Sequence, residues 1–524
     1  MNAKNKTPMS IQIYVLLCVL LFSPFAFSNT SHSIEEKNRE AQFSKIPSNH
    51  FRKLIMFAAL YPNTKQSDEA LRQAWSLLST EKSSAAHTIP PHFEEIALGC
   101  IHLVEPQALC PPPPSLSQAA IDYIKTIGAD LPNRKLQGYS VKSLDELASL
   151  EPKEVDLARA LLLVEGKENS NLSSIEASLD LLALEIIARI GPNASPQTKI
   201  SALNSLLFHE MTFRYPPLSE GKVKPSQFSE LSSVLSSRRG ICLGTSILYL
   251  SLAQRLDLPL TVFIPPGHIF LGYEEENYTR VIETTARGIA PPLETYLGLT
   301  LRKVPTQNML ATVGMVAFNR AAEHLHKKEW QKALEQYVLV KKFDQSNSTL
   351  TMIALCELLL GNKKRAGELS RELLKHPPDY QLEQDFLLLD LSKGTLSPEA
   401  AQELVVNTSP KREELPERIE QFEKLVRKNP KSAILSLHLA SLWTEYGKTK
   451  EAIPLIESVA LCDESPPSLH YDLSALYYER FDFAKAQNHA QKALFKAQKN
   501  GMVPKPILQL IFKIQQESPD SPNL

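Results

Sequence analysis

At 524 residues, with 43% hydrophobic and 22% charged side chains, the chain is an ordinary globular protein long enough for roughly two to four domains. A net charge of -1 gives no electrostatic case for nucleic acid as a main partner. The 18 glycines fit a helix-rich body with few tight β-turns.

The first residues read as a secretory signal. Lys4 and Lys6 supply the positive region, Ile11 to Phe22 the apolar core, and Ala26-Phe27-Ser28 a small-x-small cleavage site. Residues 1–28 are therefore expected to direct export, to the periplasm or beyond. The alternative is an uncleaved membrane anchor, which is the one route to membrane contact.

Residues 29–148 read as an irregular helical region broken by Pro111 to Pro114, with no chemistry to assign. Cys100, His102 and Cys110 lack the paired spacing of a zinc site, so no metal is expected. Cys100 and Cys110 are close enough in sequence to pair across a short loop. Cys356 and Cys462 fall on predicted helices as small buried apolar residues, which leaves Cys242 as the natural unpaired thiol.

From residue 149 to 305 the pattern is regular and reads as an α+β domain. Ser173-x-x-Glu176 is a capping-box signature before Ile175, Leu179, Leu182, Ile186 and Ile190, and Gly191-Pro192 ends that helix. A second helix covers about 198–208. His209-Glu210 lacks the second His of a zinc-protease motif. A helix from Cys242 to Leu256 is apolar on most faces and should be buried. Strands are predicted at about 260–264, 268–273 and 278–285.

Three residues of this domain suit cysteine acyl transfer. Cys242 follows Gly240-Ile241 at a helix start, where the dipole favours a thiolate. His268 follows Pro265-Pro266-Gly267, and Glu283 lies on the next extended stretch. If residues 274–277 form the hairpin loop, His268 sits directly opposite Glu283, about 4.5–5.5 Å apart at Cα. The carboxylate would then orient the imidazole while the imidazole activates the thiol, with sulfur and ring nitrogen about 3–4 Å apart. Taken singly, each residue has a plainer reading: a buried inert thiol, a core histidine, and a carboxylate paired with Arg287.

The same run resembles the transglutaminase-like superfamily, and within it the SirB1-type branch. The resemblance lies in Ser236-Ser237-Arg238-Arg239-Gly240 and Cys242 before Leu252-Ala253-Gln254-Arg255-Leu256, then Pro266-Gly267-His268-Ile269-Phe270 and Ile282-Glu283-Thr284-Thr285. It implies a papain-like cysteine fold with Cys242 as nucleophile, His268 as base and Glu283 as orienting acid. Glu283 stands where most active members have Asp.

Residues 306–500 are helical and self-similar. Leu439, Ala440, Trp443, Ala452 and Val459 recur 34 residues later as Leu473, Ser474, Tyr477, Ala486 and Ala493. Ala321 and Ala333 recur as Ala354 and Ala366. That is the tetratricopeptide period, implying an α-solenoid that binds a protein or peptide partner. Residues 377–430 fit the period poorly, Pro454 should kink its helix, and His324 with His326 lie on a solvated face. Residues 501–524 read as a tail. No phosphate loop, dinucleotide fingerprint or paired metal motif appears, so no cofactor is expected. Two functions follow: an exported cysteine acyltransferase or amide hydrolase acting on protein or peptide, or a non-catalytic adaptor that keeps the fold as a scaffold.

Overall fold

The structure, a computed structural model, describes residues 30–78, 89–108, 115–217, 225–276, 278–406, 411–461, 465–501 and 504–518. The expected signal, Cys110, Pro111 to Pro114 and Cys462 lie outside these residues. The chain is mostly helical with one small antiparallel sheet. It divides into two compact units, one of residues 1–220, 228–260 and 284–288, the other of 221–227, 261–283 and 289–524. Among the described residues, no helix is long and apolar enough to cross a membrane.

The first unit is organised by the helix Asn169–Ile190. The expected capping box does not form. The helix begins earlier, after Glu168, and Ser173 and Glu176 lie inside it. Glu176 is buried and takes a bidentate bond from Arg159 at 2.6 and 2.8 Å. Asp180 and Glu185 on the same helix are also buried. Asp180 binds Arg134 and the fully buried Arg255, the latter at 2.7 Å. Glu185 binds Arg52 and Arg189. Burying a carboxylate costs several kcal/mol unless a cation and further bonds compensate, and each of the three has its arginine. The Gly191 end forms as expected, at φ +81° with its N–H on the Ile187 carbonyl. The next helix, Pro196–Asn204, runs on as a π-turn over Ser205–Glu210. Glu210 there binds Arg52 and Arg189, a structural role.

The sheet of the second unit has strand order β3-β2-β1-β4, with β1 Thr261–Phe263, β2 Phe270–Glu275, β3 Tyr278–Ile282 and β4 Thr306–Gln307. The register differs from the expected one. Glu275 pairs with Tyr278 and Leu271 with Ile282, so two residues rather than four separate the paired ends. The slip is by two positions. Because side chains alternate with a period of two, every residue keeps its face, and His268 and Glu283 remain on a common side as diagonal neighbours.

After residue 308 the second unit consists of helices, paired as Met309–His326 with Trp330–Val340, Asn347–Leu359 with Lys363–Leu374, Ala433–Tyr446 with Thr449–Ala460, and Pro467–Glu479 with Phe483–Lys499. The small residues of the repeat are where the helices meet: Ala321, Ala333, Ala354, Ala366, Ala440, Ala452, Ser474 and Ala486 are all buried. The Ser474 hydroxyl donates to the Ala486 carbonyl at 2.8 Å. Residues 377–430 break the spacing with two short helices, Phe386–Lys393 and Pro398–Val405, before Leu415–Lys428. Pro454 lies inside Thr449–Ala460. The stretch read as a tail holds one more helix, Lys505–Glu517, whose Ile507, Leu510, Ile511 and Ile514 are buried at helical spacing.

Stability of this unit should fall on acidification. Burial, aided by neighbouring cations, holds His438 and His470 down to about 4, and burial pushes Asp472 up to about 6. Both histidines protonate near 6.5 when unfolded but stay neutral in the fold, so their contribution is complete above 6.5 and lost as pH falls towards 4. Burial raises Glu383 as well and lowers His489, so two carboxylates act the other way against three histidines. Denaturant midpoints at pH 7.5 and pH 5 test the sign, and His438→Gln should flatten the difference. Equal midpoints in the parent chain would contradict it.

Candidate functional site

Cys242 opens the helix Cys242–Arg255, of which twelve residues are buried, from Leu243 to Ala253 together with Arg255. The residue is half-buried. The preceding residue, Ile241, is extended and gives no side-chain cap. Its carbonyl accepts the first helical bond from the Thr245 N–H at 3.0 Å. Two glycines bring this helix end into close packing. A Cβ at Gly244 would lie 2.1 Å from the Phe228 carbonyl oxygen, and one at Gly240 2.7 Å from the Thr245 hydroxyl. The glycines of Gly240-Ile241-Cys242-Leu243-Gly244 thus seat the start of the helix against Phe228 and Val234. Gly244→Ala should destabilise the first unit by about 2–3 kcal/mol through overpacking against backbone, and should slow alkylation of Cys242. A thermal midpoint equal to the parent's would show that the helix end can move.

His268 is set by a turn. The His268 N–H donates to the Pro265 carbonyl at 3.1 Å, and Gly267 has φ +72°. Proline at the second position and glycine with positive φ at the third are what a type II turn requires. Glu283 follows β3, and its N–H donates to the Ile289 carbonyl at 2.9 Å. Nε2 of His268 lies 2.7 Å from Oε2 of Glu283, with the imidazole about one-quarter and the carboxylate about one-tenth exposed. The structure therefore brings two of the three predicted residues together within one unit, while Cys242 belongs to the other. Arg287, the plainer partner considered for Glu283, is not the ion pair found.

Tyr296 completes the pair and was not foreseen. Its hydroxyl donates to the same Oε2 at 2.8 Å. Burial, the bond to Glu283 and that residue's charge push its phenol well above the usual range, so it is a proton donor here. Its ring stacks on Phe270 at 4.2 Å and lies nearly parallel to His268 at 6.0 Å. Phe270 in turn stacks on Phe263 at 5.1 Å. Nothing in the run Leu293-Glu294-Thr295-Tyr296 signals this role, because the contact is tertiary.

The remaining candidates resolve into structure. Cys100 is a buried thiol 3.9 Å from Glu185, and burial followed by that charge raises it well above the usual thiol range. Cys356 is buried and likewise raised, to about 12. His324 binds Glu329 at 2.6 Å. Among the described residues no cluster of three His, Cys, Asp or Glu is placed to hold a metal.

A thiol at a helix N-terminus and a carboxylate-oriented imidazole are the residue types of cysteine acyl-transfer proteins. Residues 173–301, which include Cys242, His268, Glu283 and Tyr296, match the profile of the family described as the transglutaminase-like superfamily, so the chain carries a transglutaminase-like domain there. No curated protein matches the chain. Among solved structures, it is similar to a thermophilic tetratricopeptide-repeat protein of Thermus thermophilus, at 18% identity and TM-score 0.19, over 39% of this chain and 97% of that one. A tetratricopeptide-repeat protein of Parabacteroides merdae is similar at 19% identity and TM-score 0.20, over 40% and 75%. Menin is similar at 10% identity and TM-score 0.32, over 71% and 89%.

Proposed function

We propose that this chain is an exported cysteine acyltransferase or amide hydrolase of the SirB1-type branch, acting on protein or peptide substrates. Cys242 is the nucleophile, His268 the base and Glu283 the orienting acid. The observation that carries this reading is the 2.7 Å contact between His268 Nε2 and Glu283. A carboxylate on Nε2 fixes the tautomer with the proton there and makes Nδ1 the atom that serves the thiol.

The thiolate attacks the carbonyl carbon of an amide, and the proton it gave up resides on His268. Collapse breaks the C–N bond, the departing amine takes that proton, and a thioester remains. Water or a second amine then attacks the thioester, loses a proton to His268, and releases the acid or new amide and the thiolate. Ile241 provides no side-chain cap, so main-chain N–H groups of the first helical turn are the donors for the developing oxyanion. The helix pairs after residue 308 stack as an α-solenoid and bind the protein or peptide partner on their concave surface.

A cysteine-directed acyl probe, with the labelled peptide mapped by mass spectrometry, tests the reading. Label at Cys242 in the native full chain, absent after unfolding or in Cys242→Ala, is the expected result. Labelling of no residue, or equally of the variant, would leave the adaptor reading, in which the repeats bind a partner and the thiol does no chemistry.

A further inference from the structure

We infer that the first unit contains a carboxylate-binding subsite beside Cys242, which selects acidic acyl substrates. This rests on the acyl-transfer reading for its purpose but not for its existence.

A cavity of about 150 Å³ lies within the first unit, lined by Arg214, Tyr215, Thr245, Thr284, Thr285 and Arg287 among others. No carboxylate is among the described residues that line it. Arg214 and Arg287 are both exposed residues, and no ion pair to either is found among the described residues. Elsewhere in the unit the buried or half-buried Arg52, Arg134, Arg159, Arg189 and Arg255 are each matched to an acid. Arg238, whose backbone carbonyl accepts from the Arg214 N–H, is satisfied otherwise, donating to the Met211 and Leu103 carbonyls at 3.0 and 2.7 Å.

The cavity walls are built to hold position. Thr284 shares a hydrogen bond of 3.0 Å with Ser246 on the cysteine helix. Gly288, at φ +79°, is packed so closely that a Cβ would meet the Asn204 side chain at 2.4 Å, and Asn204 accepts from Tyr249 at 3.1 Å. Between these anchors Arg287 is held at φ +59°, a left-handed conformation costly for a long side chain. Across the cavity, the Arg214 backbone exchanges bonds with Arg238 and Gly240, at 3.1 and 3.2 Å. The Thr245 hydroxyl is already spent on the Gly240 carbonyl at 3.3 Å, so the two guanidinium groups are what suit one carboxylate with a short carbon chain. Thr245 lies three residues after Cys242 on one helix, where side chains are neighbours about 5–6 Å apart at Cβ. An anion held here sits within a few bonds of the thiol's reach.

Calorimetry on the native full chain with glutarate, glutaramide and inorganic phosphate tests binding without requiring any chemistry. Glutarate should bind about tenfold or more tighter than its diamide, and Arg214→Gln or Arg287→Asn should each remove most of that difference. Asn tolerates positive φ, so the second variant keeps the loop. Acetylated trialanine with a free carboxylate, against a peptide amide with one internal glutamate, distinguishes a chain terminus from a side chain as the source. Equal binding of acid and diamide, preference for phosphate, or indifference to both variants would overturn the subsite. Alkylation supplies a separate readout: the rate at Cys242 with iodoacetate relative to iodoacetamide should exceed that of glutathione, and should fall in the double variant. Slow reaction with both reagents at an unchanged high ratio would fail the acyl-transfer reading and leave the subsite standing.

Discussion

Cys242→Ala should remove acyl-probe labelling and lower any turnover by on the order of 10⁴-fold or more, with the fold intact. Cys242 is half-buried and alanine is the best helix former, so the substitution should be mild for the fold. His268→Ala should approach the same loss, because the parts of such a site act as a unit. Glu283→Gln should cost less, since the acid orients the base and forms no bond to substrate. Tyr296→Phe removes a donor from Oε2 and should cost about tenfold or less, near 1 kcal/mol. Second-order labelling rates across the four variants give the order. A Glu283→Gln chain slower than Cys242→Ala, or a Cys242→Ala chain labelled at the parent rate, would refute the assignment.

Asp180→Ala is expected to be the most damaging substitution for stability. Asp180 is fully buried and binds both Arg134 and Arg255, and Arg255 is itself completely buried. Burial alone would lower the Arg255 guanidinium, but Asp180 and then Asp156 outweigh it and raise it above its usual value. Removing the acid strands a charge in the interior, at about 3–5 kcal/mol. A urea midpoint well below the parent's is the expected result. Adding Arg255→Met to the same chain should recover part of the loss, because an apolar replacement of both partners removes the stranded charge. If the single variant unfolded at the parent's midpoint, the buried pairs would carry no weight.

The parts of this protein legible in its sequence are those set by local periodicity and local turn chemistry. The helix from Cys242, the Pro266-Gly267 turn before His268 and the small residues at the repeat contacts all follow from spacing or backbone need. Ser173-x-x-Glu176 misled because a capping box and a buried ion pair use the same residue types, and only Arg159 decides between them. The observed hairpin pairing lies two residues from the expected one, since the charged run Glu274-Glu275-Glu276 hides where pairing ends. Even so, His268 and Glu283 meet, because a shift of two keeps parity. Tyr296 and the arginine-lined cavity were invisible for a different reason: each is assembled from segments distant in sequence.

The arginines that neutralise the helix Asn169–Ile190 come from far upstream as well as from nearby. Arg52 reaches Glu185 and Arg134 reaches Asp180, so residues from the first third of the chain supply countercharges to its middle. A shortened chain beginning near residue 149, the natural cut from the sequence, would retain both buried acids and lose these partners. Such a fragment should be insoluble or unfolded however complete its thiol and imidazole. Domain-swapped or minimised forms will need residues 51–134 carried along, as one inheritable piece with the helix they neutralise.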